Sequence, residues 1–293
     1  MMFKRVAIIG VGLIGGSLAR ALRLHGLAAH IVGTSRKTEN LELARELGVV
    51  DEITTDLAAA VTGADLVFVA VPVGAMTAVF DAMKPALSRD AIITDGGSTK
   101  QSVINAARAG LADHFPRFVP GHPVAGTEQS GVAASFAELF ENRRVILTPT
   151  SETDKQAANQ IQRMWQAVGA QVTEMAADHH DEVLAATSHL PHVLAYALVD
   201  SLARMQERRE IFEYAAGGFA DFTRIASSSP EMWTDIVCAN ELALLAVLDG
   251  YIEDLQTLRG AIANDDRGAI NQCFNRAKQA RDEFTTRADR NRE

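Results

Sequence analysis

The sequence predicts an α/β protein, a doubly wound and mostly parallel sheet followed by an all-α domain. Three observations carry this. The apolar run Val6 to Ile9 opens through Gly10-Val11-Gly12-Leu13-Ile14-Gly15 onto a helical pattern beginning at Ser17. Short β-rich runs then alternate with helical periodicity as far as about residue 173. From about Asp178 strand signals stop, and long helical periodicities with few Gly or Pro take over.

Taken in order, the first element is the most specific. A strand that turns through G-x-G-x-x-G into a helix is the phosphate-binding turn of a Rossmann-type domain. Only glycine permits the tight turn and the close approach of backbone N–H groups to a pyrophosphate, at the positive end of a helix dipole. Gly10, Gly12, Leu13, Ile14 and Gly15 are therefore cofactor-binding candidates. The second strand is read from His30 to Lys37, and no carboxylate stands at its end. An acid there would bond the 2′-hydroxyl of NAD and repel the 2′-phosphate of NADP, whereas Ser35 and Arg36 suit that phosphate. The expected cofactor is NAD or NADP, leaning to NADP. A third run, Asp65 to Pro72, adds Val71 and Pro72 at its end to the cofactor-binding set. Ala91–Asp95, Arg117–Pro120 and Arg144–Thr148 continue the sheet, and Val168–Thr173 is a candidate last strand.

This places a dinucleotide-binding domain at 1–175 and a helical domain at 176–293. Gly217-Gly218, Ser229-Pro230-Glu231 and Asn264-Asp265-Asp266 punctuate the helices. The stretches His192–Met205 and Ile236–Ile252 are apolar around most of their circumference, more than one small domain can cover. A symmetric homodimer built on them is the expected answer, with burial between the two domains of one chain as the alternative.

A net charge of −9 and pI near 5.4 argue against nucleic acid or an anionic membrane as partner, since both require a basic face. Ile236–Ile252 is broken by Asn240, Glu241 and Asp249 and is too polar to span a bilayer. Cys238 and Cys273 have no C-x-x-C spacing, and no leader-like segment precedes the first strand, so a cytoplasmic setting is expected.

Three segments carry chemistry. In Gly121-His122-Pro123-Val124-Ala125-Gly126-Thr127-Glu128, Pro123 biases His122 to extended backbone at the carboxyl edge of the sheet, where such folds bind ligands. His122 is the candidate catalytic base, an imidazole able to accept a hydroxyl hydrogen bond during hydride loss. In Asp95-Gly96-Gly97-Ser98-Thr99-Lys100, Ser98 is read as a hydroxyl orienting His122 or the substrate, beside the equally open reading of a plain Gly-Ser turn. The third pairs Ser188-His189-Leu190-Pro191-His192 with Gly217–Ala226. Its H-x-x-H lacks an acidic third ligand at helical spacing, so no metal is expected. Arg224 suits a bidentate clamp on a substrate carboxylate, and a pair with Asp221 is the competing role. His179-His180-Asp181 reads as a solvated helix cap.

GVGLIGGS, DGGSTK, GHPVAGTEQSGV, ATSHLPH and GGFADFTRIASSSPEMW resemble, in order and spacing, the prephenate and arogenate (cyclohexadienyl) dehydrogenases of tyrosine biosynthesis, over nearly the whole chain to about residue 284. The resemblance implies a Rossmann domain with a helical dimerisation domain, and oxidative decarboxylation of prephenate to 4-hydroxyphenylpyruvate or of arogenate to tyrosine. It implies that His122 bonds the ring hydroxyl with Ser98 in support. His192 and Arg224 then contact the substrate, Trp233 walls the pocket, and Glu128 and Asp221 govern access and order there. Thr34-Ser35-Arg36 departs from the acid of NAD-preferring members. Two competitors are weaker. A 3-hydroxyacid dehydrogenase would need a lysine early in the second domain, and none lies between Lys155 and Lys278. A non-enzymatic NAD(P)-sensing module would not require His122, Ser98 and Arg224 to converge.

Overall fold

The computed structural model describes residues 1–127, 129–206 and 208–290. The strands are β1 (Phe3–Ile9), β2 (Ala28–Thr34), β3 (Glu52–Thr54), β4 (Leu66–Val69), β5 (Ile92–Asp95), β6 (Phe118–Val119), β7 (Gly121–Pro123), β8 (Arg144–Leu147) and β9 (Gln171–Glu174). Between and after them lie α1 (Leu13–Leu24), α2 (Thr38–Glu46), α3 (Leu57–Val61), α4 (Met76–Met83), α5 (Gln101–Leu111) and α6 (Lys155–Ala167). The helical half comprises α7 (Ala177–Leu184), α8 (Leu190–Ala203), α9 (Arg208–Glu213), α10 (Gly217–Thr223), α11 (Pro230–Ala239), α12 (Glu241–Ala263) and α13 (Arg267–Arg290).

Six strands form one sheet in the order β3-β2-β1-β4-β5-β6, every neighbouring pair parallel. The order reverses between β1 and β4, which opens the ligand crevice at their carboxyl ends. Both faces are covered, so the central strands are apolar without alternation. Val6, Ile8, Leu66 and Phe68 point to one core, with Trp165 of α6, while Ala7, Ile9, Val67 and Val69 point to the other, with Phe80 and Phe118. Trp165 packs edge-on against Phe68 and Phe140, at 6.0 and 5.0 Å between ring centres.

The expected single wound sheet is corrected in its last third. The run Arg117–Pro120 contains β6, but Pro120 has no N–H to extend the ladder, and the chain leaves for a second sheet of order β7-β8-β9. There β7 runs antiparallel to β8, with His122 opposite Ile146, and β8 runs parallel to β9. His122 thus sits on a short strand rather than in a loop. The second strand ends at Thr34, leaving Ser35 to Lys37 as the connection to α2.

In its contacts the chain divides into two units, Met1–Leu244 and Leu245–Glu293. In the first, α11 begins as read from sequence, with Ser229 Oγ accepting from Met232 N–H and Pro230 in the first turn. Most of α8 is half-buried, and among its described residues only Ala195 is buried. The second unit holds the rest of α12 and α13, joined at the Asn264–Asp266 turn with Asp265 at φ 49°. It leaves Leu255, Ile262, Phe274 and Phe284 exposed. Among the described residues no helix is long and apolar enough to cross a membrane.

Candidate active site

The glycine turn has the shape its sequence demands. Gly10 lies at φ +93°, and a Cβ there would meet the Ala70 carbonyl oxygen at 2.4 Å; a Cβ on Gly15 would meet the Gly10 oxygen at 2.1 Å. Gly12 is different: a Cβ would find nothing within 4 Å, so this backbone faces open space at the start of α1. No side chain caps α1 and no acid lies in its first turn, which leaves free N–H groups and a positive dipole end for an anion. Asn40 holds the turn from α2 by donating to the Val11 carbonyl at 2.7 Å. Val71 packs against Gly10, and Pro72 follows it at the end of β4. Ser35 is half-buried and Arg36 exposed just beyond β2. The cradle that a Cβ on Gly12 would fill fits the pyrophosphate of a dinucleotide, which Gly10, Gly12, Leu13, Ile14 and Gly15 would hold with Val71 and Pro72 alongside.

A buried network fixes His122. Asp95 Oδ1 accepts from Gly121 N–H at 3.0 Å, while the Lys100 ammonium donates to the Gly121 carbonyl at 2.7 Å and to Asp95 Oδ2. Asp95 and Lys100 are both fully buried and together grip both polar groups of the residue before His122. His122 Nδ1 lies 2.8 Å from His180 Nε2, and His180 Nδ1 lies 2.8 Å from Asp181 Oδ1. The Asp181 carboxylate also accepts from the backbone N–H groups of Lys100 and Gln101, at 2.7 and 2.9 Å. From α7 it therefore caps α5, whose own N-cap residue Lys100 supplies no cap. Burial, reinforced by neighbouring His180, Lys100 and His189, pushes His122 well below the ordinary histidine range. Burial pulls Lys100 down too, against the attraction of Asp95.

The reading of His179-His180-Asp181 as a solvated cap is corrected here. His179 is exposed, but His180 and Asp181 are buried and share the inward face of α7 with Leu184, continued by Ala185 at the start of the next turn. The i, i+4 spacing of His180 with Leu184 and of Asp181 with Ala185 is the sequence signal that marks them as inward-facing.

The ATSHLPH segment is a π-turn, Ala185–His189, running into α8. Pro191 explains it, since its ring collides with the carbonyl four residues back and its nitrogen donates nothing. His192 Nδ1 donates to the Ser188 carbonyl at 2.9 Å, and its ring stacks on Trp233 with centres 3.6 Å apart and planes at 19°. His189 is buried with Nδ1 3.0 Å from Asn240 Nδ2, which also donates to the Asp181 carbonyl at 2.8 Å. Burial takes His189 down to a pKa of about 4. A continuous run of contacts thus joins His122, His180, Asp181, Asn240, His189, Trp233 and His192. His189 Nε2 and Trp233 Nε1 are buried without a partner among the described residues.

Of the other expected site residues, Ser98 is half-buried in the turn between β5 and α5, and its hydroxyl makes no hydrogen bond among the described residues. Of the two ring nitrogens of His122, Nδ1 is engaged by His180 rather than by Ser98. Arg224 opens a short turn after α10, and Asp221 is exposed on that helix. Glu128 lies outside the described residues.

Comparison with known proteins gives this site its context. The family model for the prephenate dehydrogenase nucleotide-binding domain matches residues 18–174, and that for the prephenate dehydrogenase dimerization domain matches 176–276. The chain belongs to the prephenate dehydrogenase family. It is 45% identical over 282 residues to a cyclohexadienyl dehydrogenase of Zymomonas mobilis, covering 96% of both chains. To a prephenate dehydrogenase of Bacillus subtilis it is 36% identical, covering 96% of this chain and 76% of that one. Among solved structures, the Aquifex aeolicus prephenate dehydrogenase with hydroxyphenyl propionate and NAD+ superposes with a TM-score of 0.90 at 37% identity, covering 97% of this chain and 99% of that one. A Synechocystis arogenate dehydrogenase gives 0.79 at 29% identity, over 96% and 99%. As a member of this family the chain is an NAD(P)-dependent oxidoreductase with a Rossmann domain.

Proposed function

We propose that the protein converts prephenate to 4-hydroxyphenylpyruvate and CO₂ in tyrosine biosynthesis, with His122 as the base that handles the ring-hydroxyl proton. The observation that carries this reading is His122 itself: a neutral imidazole on a strand clamped at Gly121, beside the crevice of a dinucleotide-binding sheet, in a chain of this family. Bound NAD(P) supplies the hydride acceptor. His122 Nε2 takes the hydroxyl proton as hydride leaves the carbinol carbon. Loss of the ring carboxylate as CO₂ delivers its electron pair to the ring, and the phenolate oxygen so formed takes the proton back from His122. Aromatisation makes the sequence effectively irreversible, so the side chains need only position and polarise.

The remaining roles belong to the same proposal. Ser98 bonds the substrate hydroxyl or supports His122, and its unengaged hydroxyl suits this. Arg224 clamps a substrate carboxylate, His192 and Trp233 form the wall for the side chain, and Asp221 orders the pocket mouth with Glu128. The domains divide at 175/176, and the chain works as a cytoplasmic homodimer through its helical domain. Ser35 and Arg36 favour NADP because no acid repels its 2′-phosphate. Arogenate, or both substrates, is the second reading, favoured by the cyclohexadienyl and arogenate dehydrogenases among the similar proteins.

Steady-state kinetics with prephenate and arogenate, each with NAD and NADP, tests the set. Prephenate should be oxidised, with NADP at least as efficient as NAD. His122→Asn should lower kcat by about two to four decades with little change in KM. No reduced nicotinamide from either substrate, or near-normal turnover of the variant, overturns the reading; a roughly tenfold preference for NAD overturns the NADP assignment alone.

A further inference from the structure

Hydrogen-bond arithmetic gives every nitrogen between His122 and Asp181 a direction. The Asp181 carboxylate already accepts two backbone N–H bonds, so it meets His180 Nδ1 as an acceptor and that nitrogen carries the hydrogen. A His122 that serves as the base keeps its Nε2 lone pair for the substrate, so its Nδ1 carries the hydrogen and donates to His180 Nε2, 2.8 Å away. A neutral His122 that carries its hydrogen on Nδ1 presents a lone pair on Nε2.

Resting on the function proposed above, we propose that His180 and Asp181 are positioning residues that fix His122 in its Nδ1–H tautomer. Nε2 thereby stays open to the substrate hydroxyl, and the charge gained with its proton meets the Asp181 carboxylate through His180. The chain also answers an electrostatic problem. His122 faces Lys100 from the turn before α5, His189 from the π-turn and His180 from α7, and Lys100 is offset by Asp95. Burial and these neighbours keep the imidazole neutral at rest, and also make it a reluctant proton acceptor. Asp181 is the carboxylate placed to relieve that, one imidazole away. Its geometry follows the general pattern of a base oriented by a third group.

The test separates tautomer from turnover. Histidine-selective isotope labelling, with the His122 signals assigned by their loss in His122→Asn, reads the protonated nitrogen directly in the cofactor-free protein. The expected wild-type state is Nδ1–H. His180→Phe, which keeps the ring volume but removes the acceptor, should shift His122 toward Nε2–H and lower kcat by about 10²-fold, leaving KM for cofactor and substrate within about threefold. His180→Gln places an amide oxygen near the old Nε2 and should keep the Nδ1–H state and recover much of the loss. An Nε2–H tautomer in the wild type, or His180→Phe turning over within threefold of wild type, overturns the inference. The wild-type spectrum decides even where the Phe variant fails to fold. A protein that carries His122 as Nδ1–H yet leaves prephenate untouched sinks the functional reading and supports this one.

Discussion

His189 shows how one side chain can set a pH limit on the whole chain. The Asp181 carbonyl at 2.8 Å identifies the Asn240 atom beside it as the amide nitrogen, and that nitrogen can only donate to His189 Nδ1. A second proton on His189 would therefore oppose the Asn240 donor as well as burial. Its pKa falls from 6.5 to about 4. Between those values the unfolded chain binds a proton that the native chain refuses, so native stability falls as pH drops from 6.5 toward 4 and is unaffected above 6.5. The loss from this residue is up to about 3 kcal/mol by linkage. His122 and His192, lowered in the same direction, add to it. Urea unfolding at neutral pH and near pH 5 should show the drop, and His189→Gln should remove its share; equal midpoints for the wild type at both pH values would disprove the assignment.

At the scale of the element, the glycine turn separates fold from ligand. Gly10→Ala must fight a positive φ and a backbone oxygen 2.4 Å away, so it should cost more than about 2 kcal/mol of stability. Gly12→Ala adds a methyl to open space at an N-cap with φ −99°, which an L-residue tolerates. Its stability should stay within about 1 kcal/mol of wild type, while KM for the dinucleotide rises at least about tenfold. Thermal melts beside cofactor titrations read both, and equal effects of the two variants on stability would count against the cradle. This element was legible in the sequence because it is local: strand, turn and helix are contiguous and each glycine has its own steric reason. The network around His122 was legible only in part. His122 could be placed at the sheet edge, but His180 is 58 positions further on, and in isolation a His-Asp pair in a first helical turn looks solvated. The departure of β7 from the main sheet was hidden for the same reason, since Pro120 announces a break without saying which ladder follows.

For the whole molecule, uncovered apolar surface is the decisive quantity. In the second unit Ile262 is 60% and Phe274 57% exposed, and α8 in the first, though apolar, is mostly half-buried, with only Ala195 fully buried among its described residues. Side chains of this kind on helices of a family dimerization domain are the surface a second copy would cover. Phe274→Asp should move the sedimentation mass from twice the chain toward 31.5 kDa; a wild-type monomer under the same conditions would exclude the homodimer. Periodicity in the sequence marked α8 and the first half of α12 as too apolar for one small domain, but it did not reach Ile262 or Phe274 and could not distinguish cover by a partner from cover by the chain itself.

The Asp181 cap on α5 also bears on how such enzymes recombine. His122, the proposed base, sits on β7 in the nucleotide-binding half, while His180, which bonds it, and Asp181, which bonds His180 and caps α5, sit on α7 in the helical half. A chimera spliced at 175/176 from two relatives would take the base from one parent and its tautomer control from the other. Any mismatch at His180 or Asp181 would then surface in turnover, with both halves folded and the dinucleotide still bound. The exchangeable unit for chemistry runs through α7 and the π-turn to His189, past the join between the two family domains.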